Sequence, residues 1–333
     1  MRVPPKLVRR LVVAPLVVVV EALIVLLSPL VLLLALVASP VFGGWRPLRA
    51  AVIVLSGLAR HMAAILMCLG LWVASGFGRR MHTEALQQAH YDLMRWFVRG
   101  LHATIVALAR VRIEVLESDV AGAVLTARDR PVLLLSRHAG EGDTLLVLYE
   151  LLCPHRRAPR IVMHERLRLD PFVDALGERL PNRFLDPRGG ETERDVAELA
   201  ASLGDCDALV IFPEGRNFSP SHRRRAIERL NEAGHDREAE AAREMERVSA
   251  PRPGGTLAAL DAAPGADVVV MGHSGFPMGL KDVWRRLPEE QVIDVRLWHE
   301  PAAAIPRERE EQIEWLFGWW QTLDAWVAER EGL

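Results

Sequence analysis

The sequence is poor in cysteine and has almost no net charge. Its three cysteines, Cys68, Cys153 and Cys206, are scattered along 333 residues. Neither a disulfide framework nor a metal-binding knuckle is therefore expected, and a reducing compartment is the default. The formal net charge of −2 at pH 7 argues against a nucleic-acid partner. No internal repeat or low-complexity linker stands out, so the length favours one large core with an accessory element.

Carboxylates are nearly missing from the first eighty residues, where Glu21 is the only one among nine Lys and Arg side chains. Residues 11–38 form an apolar run long enough to cross a bilayer and too long for the core of a cleaved signal peptide. Positive charge precedes this run, which predicts a cytoplasmic N-terminus. We also expect the later part of the chain to lie on the cytoplasmic side of a membrane.

A second apolar stretch, residues 50–77, is interrupted near its middle by Arg60 and His61. A central charge is costly in hydrocarbon, so a re-entrant or interfacial helix pair competes with a second true span. Pro29 and the region 40–47 could supply the bends of a hairpin. We expect residues 1–80 to be membrane-anchoring helices, with an anchor favoured over an acyl-chain-binding role, and residues 81–333 to form a separate domain.

Helical and strand patterns alternate in this second region. Residues 83–108 and 191–203 have helical spacing, and a helix is expected over 144–152. Alternation of strands and helices predicts an α/β domain with a mixed, largely parallel sheet flanked by helices. The expected strands are 111–116, the apolar run after Pro131, 160–163, 183–186, 208–212, 267–271 and 292–298.

Two further stretches could meet ligands or could be structural. Residues 219–248 read as a solvated helix or helix pair, and Arg223, Arg224 and Arg225 within it could contact lipid headgroups or a coenzyme A phosphate. A solvated face is the commoner meaning of such a run. The last helix, residues 307–330, carries a tryptophan stripe that fits core packing and a membrane interface equally well.

Polar residues follow two of the buried strands. The run 132–135 leads to His138, Gly140, Gly142 and Asp143, and the run 208–212 leads to Pro213-Glu214-Gly215-Arg216. A histidine and a carboxylate five residues apart could be a general base and its orienting partner, but only in a turn or at a helix start, which glycines permit. The alternative is that both residues merely cap the next helix.

His138-x4-Asp143 followed by Phe212-Pro213-Glu214-Gly215 resembles the glycerolipid acyltransferase family, which transfers fatty acyl groups to lysophosphatidic acid and other lysophospholipids. The resemblance covers roughly residues 111–327 and is closest over 131–219. It implies that Glu214, with Gly215 beside it, helps to hold the glycerol portion of the acceptor. Asn217 and the charged stretch that follows resemble the lysocardiolipin acyltransferase-like branch.

Phosphate-binding arginines are less well defined. Arg216 is a candidate because of its charge and place, since a guanidinium fork fits phosphate oxygens, although it could instead pair with a carboxylate. Residues 183–188 resemble the second motif of the family, whose arginine meets the acceptor phosphate. Pro187 occupies the usual arginine position, so Arg183 or Arg188 would have to substitute.

The resemblance implies an acyltransferase that works like a 1-acylglycerol-3-phosphate O-acyltransferase and takes acyl-CoA or acyl carrier protein as co-substrate, with no cofactor and no metal. The partners are membrane lipids and a lysophospholipid acceptor. A lipid hydrolase or thioesterase with the same base, and a non-catalytic membrane protein that keeps the fold, are the alternatives. Ser274 lies in a stretch like a hydrolase nucleophile elbow, but Phe276 stands where that elbow needs glycine.

Overall fold

The structure, a computed structural model, describes residues 3–116, 119–140, 142–185, 192–276, 280–287 and 289–332. They fall into two compact units. The first contains residues 1–112, 162–188 and 281–291, and the second contains 113–161, 189–280 and 292–333. The sequence predicts that residues 1–80 anchor the protein to a membrane and that residues 81–333 form a separate domain. This division stays a prediction.

The described elements are close to those predicted, and each expected strand is present with its ends within three residues of the expected ones. In chain order they are α1 (Lys6–Val8), a π-helical turn (Arg9–Val13), α2 (Ala14–Leu26), α3 (Ser28–Phe42), α4 (Arg46–Ala74), α5 (Glu84–Ala109), β1 (Val111–Leu116), α6 (Asp119–Ala127), β2 (Val132–Ser136), α7 (Asp143–Leu152), β3 (Ala158–His164), a 3₁₀ turn (Glu165–Leu169), α8 (Pro171–Arg179), β4 (Arg183–Leu185), α9 (Thr192–Ala201), β5 (Asp207–Ile211), α10 (Pro220–Glu232), α11 (Asp236–Glu244), α12 (Pro253–Ala262), β6 (Asp267–Ser274), α13 (Leu280–Arg286), β7 (Gln291–Glu300), a second 3₁₀ turn (Ala302–Ala304) and α14 (Arg309–Gly332).

The N-terminal apolar run is a bent helix pair. The helix over Lys6–Leu26 and the helix Ser28–Phe42 meet at an angle of 54° around Leu27. Pro29 lies in the first turn of α3, where a missing N–H leaves no helical hydrogen bond unmade. Both helices pack against α4 within the first unit. α4 is long and apolar enough to cross a membrane by length and composition.

Arg60 and His61 do not break the second apolar stretch, because α4 runs without interruption from Arg46 to Ala74. Both side chains find partners inside the first unit. The Arg60 guanidinium lies over the Trp96 ring of α5, 5.7 Å from its centroid. His61 Nδ1 and Nε2 lie 2.6 Å and 3.1 Å from carboxylate oxygens of Glu21 and Asp170. The Trp96 ring compensates for the Arg60 charge, and the two carboxylates lie within hydrogen-bond distance of both ring nitrogens of His61, so the apolar helix continues through these positions.

The strands form one seven-stranded sheet in the order β1-β7-β6-β2-β5-β3-β4. The pairs β6–β2, β2–β5, β5–β3 and β3–β4 are parallel, and β7 runs antiparallel to β6. The predicted α/β fold with a mostly parallel sheet and flanking helices is therefore confirmed. Every residue of β2 and of β6 is buried, as expected for strands covered on both faces.

The C-terminal helix supplies a large part of the core of the second unit. α14 packs against β6, α11 and α12. Trp320 is fully buried and Trp326 is nearly so, while Trp298 of β7 contacts Trp319 and Trp326 with ring centroids 6.2 Å and 5.6 Å apart. The tryptophan stripe therefore packs mainly into the core. The polar stretch that the sequence placed at residues 219–248 forms a helix pair, α10 and α11.

Candidate active site

The register of two parallel strands brings the two sequence motifs together. Leu135 of β2 pairs with Ile211 of β5. His138 and Glu214 each lie three residues beyond this pair, at the carboxyl ends of their strands. That edge is where open α/β sheets place their ligands. The Glu214 carboxylate accepts a hydrogen bond of 3.0 Å from the backbone N–H of His138.

His138 and Asp143 form the predicted pair. His138 Nδ1 lies 2.8 Å from Asp143 Oδ2. An ionised carboxylate only accepts hydrogen bonds, so Nδ1 must carry the proton, and Nε2 is left with its lone pair available. The close approach depends on a tight turn, in which Gly142 has a φ of 104° that glycine adopts without a Cβ clash.

The environment of Asp143 keeps it ionised. Burial pushes the pKa of Asp143 upward, but the hydrogen bond and charge of His138 and the Gly140 N–H outweigh it, and the pKa lies below its usual value. Its second oxygen accepts a hydrogen bond of 2.6 Å from the backbone N–H of Thr144 at the start of α7. Asp143 is the first residue of α7, whose N-cap is Gly142, so its carboxylate orients the imidazole and is not the cap of the helix.

The imidazole of His138 is supported on one side and accessible on another. Its ring lies 4.7 Å from the Phe212 ring, and 23% of the side chain is exposed. Within the described residues, Nε2 has no hydrogen-bond partner. A substrate hydroxyl could therefore reach the free nitrogen, as a general base requires.

Glu214 lies behind His138 in a fully enclosed position. Besides the His138 N–H, its carboxylate accepts a hydrogen bond of 2.9 Å from the Ser249 N–H, and only 3% of the residue is exposed. Burial raises the pKa of Glu214 to about 7, against the opposing effect of the Arg137 charge and the two N–H donors. Both oxygens are occupied by backbone donors, so the carboxylate connects the ends of two strands to the segment before α12.

Two buried residues beside this carboxylate were missed in the sequence. Arg137 donates hydrogen bonds of 2.7 Å and 2.9 Å to the carbonyl oxygens of His273 and Arg247. The His273 Nε2 lies 3.3 Å from the Arg137 carbonyl oxygen. Each of the two residues therefore contacts the backbone carbonyl of the other, which joins the end of β2 to β6. Burial lowers the pKa of His273 to about 3, and it stays neutral. An arginine directly after a buried strand was the available signal for Arg137.

A group of exposed arginines lies next to Gly215, which has a φ of 73°. The Arg252 guanidinium sits against the glycine, 3.4 Å from the position that a Cβ would take, and the Arg252 N–H donates to the Pro213 carbonyl. Burial and the charges of Arg229 and Arg216 lower the pKa of Arg252. None of the three guanidinium groups has a carboxylate partner within the described residues, so Arg216 does not pair with Glu214.

Arg183 and Arg188 are the other two candidates for binding the acceptor phosphate. Arg183 is exposed at the start of β4 and lines a cavity of the first unit. Arg188 lies outside the described residues.

Arg223, from the basic run in α10, donates to the carbonyl oxygens of Met245 and Arg243, while Arg224 and Arg225 are exposed. Among the described residues, no group of three or more His, Cys, Asp and Glu side chains could hold a metal ion.

A strand-end histidine, its carboxylate partner and a second strand-end glutamate therefore lie together at one edge of the sheet. Residues 112–234 match the family model described as Acyltransferase. The matched region includes His138, Asp143, Glu214 and Arg216, and the match supports acyl transfer as the general reaction. Arg252 and His273 lie beyond its end. No curated protein matches the chain with significance.

Proposed function

We propose that the protein transfers a fatty acyl group from an acyl thioester to the free hydroxyl of a lysophospholipid, lysophosphatidic acid or a related lipid. The observation that carries this proposal is the His138–Asp143 pair with an accessible Nε2 at the carboxyl edge of the sheet. The alternative that both residues only cap a helix does not account for the 2.8 Å bond to an imidazole with one free nitrogen.

In the proposed reaction, Nε2 of His138 takes the proton of the acceptor hydroxyl as its oxygen attacks the thioester carbonyl. Asp143 stabilises the imidazolium that forms. The tetrahedral intermediate then collapses, the carbon–sulfur bond breaks, and the leaving thiolate takes the proton from His138. Acyl-CoA or acyl carrier protein supplies the thioester, and the chain itself forms no covalent acyl intermediate. A positioned imidazole contributes about 10²–10⁴-fold to such a reaction.

We propose that Arg216 binds the phosphate of the acceptor, with Arg252 and Arg229 close by. Three neighbouring guanidinium groups that have no carboxylate partner in the described part of the chain favour an anion, and their forks fit phosphate oxygens. Gly215 would let that anion approach the backbone. Arg183 and Arg188, which the second motif suggested, remain candidates for the same group. We assign Glu214 to holding His138 rather than to touching the acceptor, since its oxygens bind two backbone N–H groups.

The lysocardiolipin-like branch is the finer assignment that we propose. Asn217 after Arg216, and the charged pair α10 and α11 that precedes α12, support it. In this proposal the acceptor carries a phosphate that is part of a larger headgroup. The exposure of Arg216, Arg229 and Arg252 suits such a headgroup.

We further propose that the first helices hold the protein on the cytoplasmic leaflet without crossing it. α4 packs along α5, with Ser56 Oγ 3.4 Å from Thr104 Oγ1 and Arg49 donating to the Leu108 carbonyl. A helix held along a domain helix in this way suits an interfacial position better than a span. The outward side chains are apolar and exposed, and they include Leu7, Leu11, Leu16, Val19, Leu23, Leu30, Leu33, Leu34, Val37, Leu66 and Leu69.

Product analysis tests the proposal. Purified protein in detergent is incubated with labelled acyl-CoA, or acyl carrier protein, and a panel of lysophospholipids. A labelled diacyl lipid from one acceptor class is the expected result. Free fatty acid without any acylated lipid would instead favour the hydrolase or thioesterase, in which water replaces the acceptor at the same base. A protein with neither activity toward any donor would fit the non-catalytic alternative.

A further inference from the structure

The first unit contains a cavity of about 530 Å³ whose lining includes Arg183, an alternative ligand for the acceptor phosphate, but none of the residues proposed for proton transfer. Lys6 of α1 borders it, together with Arg168 of the 3₁₀ turn, Arg179 at the end of α8, and Arg183 and Phe184 of β4. We call this space the basic cavity. Its volume lies in the range typical of small-molecule sites.

Among the described residues that line the basic cavity, positive side chains outnumber negative ones. Glu178 is bound by Lys6 at 2.6 Å, Arg168 at 3.0 Å and Arg9 at 3.2 Å. Asp174, on the preceding turn of α8, is bound by Arg9 at 3.1 Å and Arg10 at 3.4 Å. The surrounding cations hold the pKa of Glu178 below its usual value, although burial acts in the opposite direction.

Among the described residues, two carboxylates, Glu178 and Asp174, therefore bind four cations. Arg179 adds a further positive side chain to the lining. The Arg179 guanidinium donates to the Cys68 carbonyl and lies 3.1 Å from His90 Nε2, and no carboxylate of the described residues accepts a hydrogen bond from it. The Arg168 guanidinium is held flat on the Phe184 ring, 4.1 Å from its centroid. A cation fixed in this way is prepared for a ligand, because little side-chain freedom is left to lose on binding.

The basic cavity also lies at the beginning of an apolar helix. Lys6 opens the helical stretch that runs to Leu26, and Leu7, Leu11 and Leu16 on that stretch are exposed. A ligand with a charged head and an apolar tail could place its head in the basic cavity and its tail along the exposed apolar side chains of the helix. A soluble anion would use only the charged part.

We propose that the basic cavity binds the phosphate-bearing headgroup of an anionic membrane phospholipid, with the acyl chains along the exposed face of α2. The lipid is a tether that is distinct from the substrate of the candidate active site. Such binding selects anionic membranes, so the protein is retained where the leaflet carries negative headgroups.

Vesicle co-flotation tests the proposal on the full chain carrying His138→Ala, so that turnover cannot alter the lipids and the proposed reaction plays no part in the result. Binding is compared between vesicles of phosphatidylcholine alone and vesicles in which phosphatidylglycerol replaces part of it. We expect tighter binding to the second kind. Lys6→Gln and Arg168→Gln should each weaken that preference by about fivefold, the usual contribution of one basic side chain at such a surface. Arg168→Lys should retain most of it.

The matched control is Arg80→Gln, which removes the same charge from an exposed position of the first unit outside the basic cavity. It should leave the lipid preference unchanged. Equal losses in Arg80→Gln and Lys6→Gln would overturn the proposal in favour of general electrostatic attraction. Equal binding of the parent protein to both vesicles would also overturn it. If inorganic phosphate then raised the Tm of the parent but not of Lys6→Gln, the ligand would be a free phosphate ester.

Discussion

Glu214→Gln separates a carboxylate that holds His138 from one that contacts the acceptor. Glutamine keeps the shape but turns an NH₂ group toward either the His138 N–H or the Ser249 N–H. One buried donor then loses its acceptor, which costs about 1–3 kcal/mol of stability. Because the loss falls on the backbone that carries the base, kcat should fall while KM for the lysophospholipid changes little.

The same substitution has a pH signature. The folded pKa of Glu214 is raised from 4.5 to about 7, so the folded state favours the protonated form. The raised pKa of Glu214 contributes about 3 kcal/mol to the free energy of unfolding below pH 4.5. This contribution is lost as the pH rises through about 7. Glutamine cannot titrate. The difference in unfolding free energy between the parent and Glu214→Gln should therefore shrink between pH 5 and pH 8.

Denaturant unfolding of the detergent-solubilised proteins at several pH values measures this difference, and initial rates give kcat and KM. Glu232→Gln, at an exposed position of α10, reports the effect of the same substitution without burial. A stability difference that grows with pH would refute the assignment of a raised pKa. A rise in KM with unchanged kcat would refute the positioning function and return Glu214 to the acceptor site.

Other predictions concern the base, the acceptor, the membrane and the core. Asp143→Asn should lower kcat by about 10²–10⁴-fold with the fold retained, measured by initial rates and circular dichroism, because the amide cannot stabilise the imidazolium. Gly215→Ala should raise KM for a phosphorylated acceptor, since φ is 73° and Arg252 lies 3.4 Å from the new methyl position. Leu16→Asp should reduce vesicle binding without lowering Tm, because that side chain is exposed. Trp320→Ala should destabilise the second unit by about 3–5 kcal/mol in denaturant unfolding, since the ring is fully buried.

Periodicity and motif order predicted most of the α/β region. The strands that carry His138 and Glu214 are unbroken apolar runs, and their shared edge follows from parallel pairing. The His138–Asp143 contact was predictable because two glycines in the turn leave few alternatives. The helix-capping alternative is wrong for Asp143, because Gly142 is the N-cap of α7 and the Asp143 carboxylate lies against the imidazole.

Long-range partners were beyond the sequence. Glu214 binds the N–H of Ser249, which is 35 residues away, and Arg137 binds the His273 carbonyl, which is 136 residues away. No local pattern marks such pairs. Arg60 and His61 were read as a break because their partners on α5 and before α8 are likewise distant. A charged residue in an apolar helix is tolerated when the fold supplies its partner, and only the tertiary structure shows that partner.

The most direct measurement of the central claim is labelled diacyl phospholipid formed from acyl-CoA and lysophosphatidic acid by the parent protein and by His138→Ala. His235→Ala, which removes an exposed histidine from the start of α11, is the matched control. The account predicts product from the parent and from His235→Ala, and a loss of about 10²–10⁴-fold in His138→Ala. Product formation that continues undiminished in His138→Ala would contradict it.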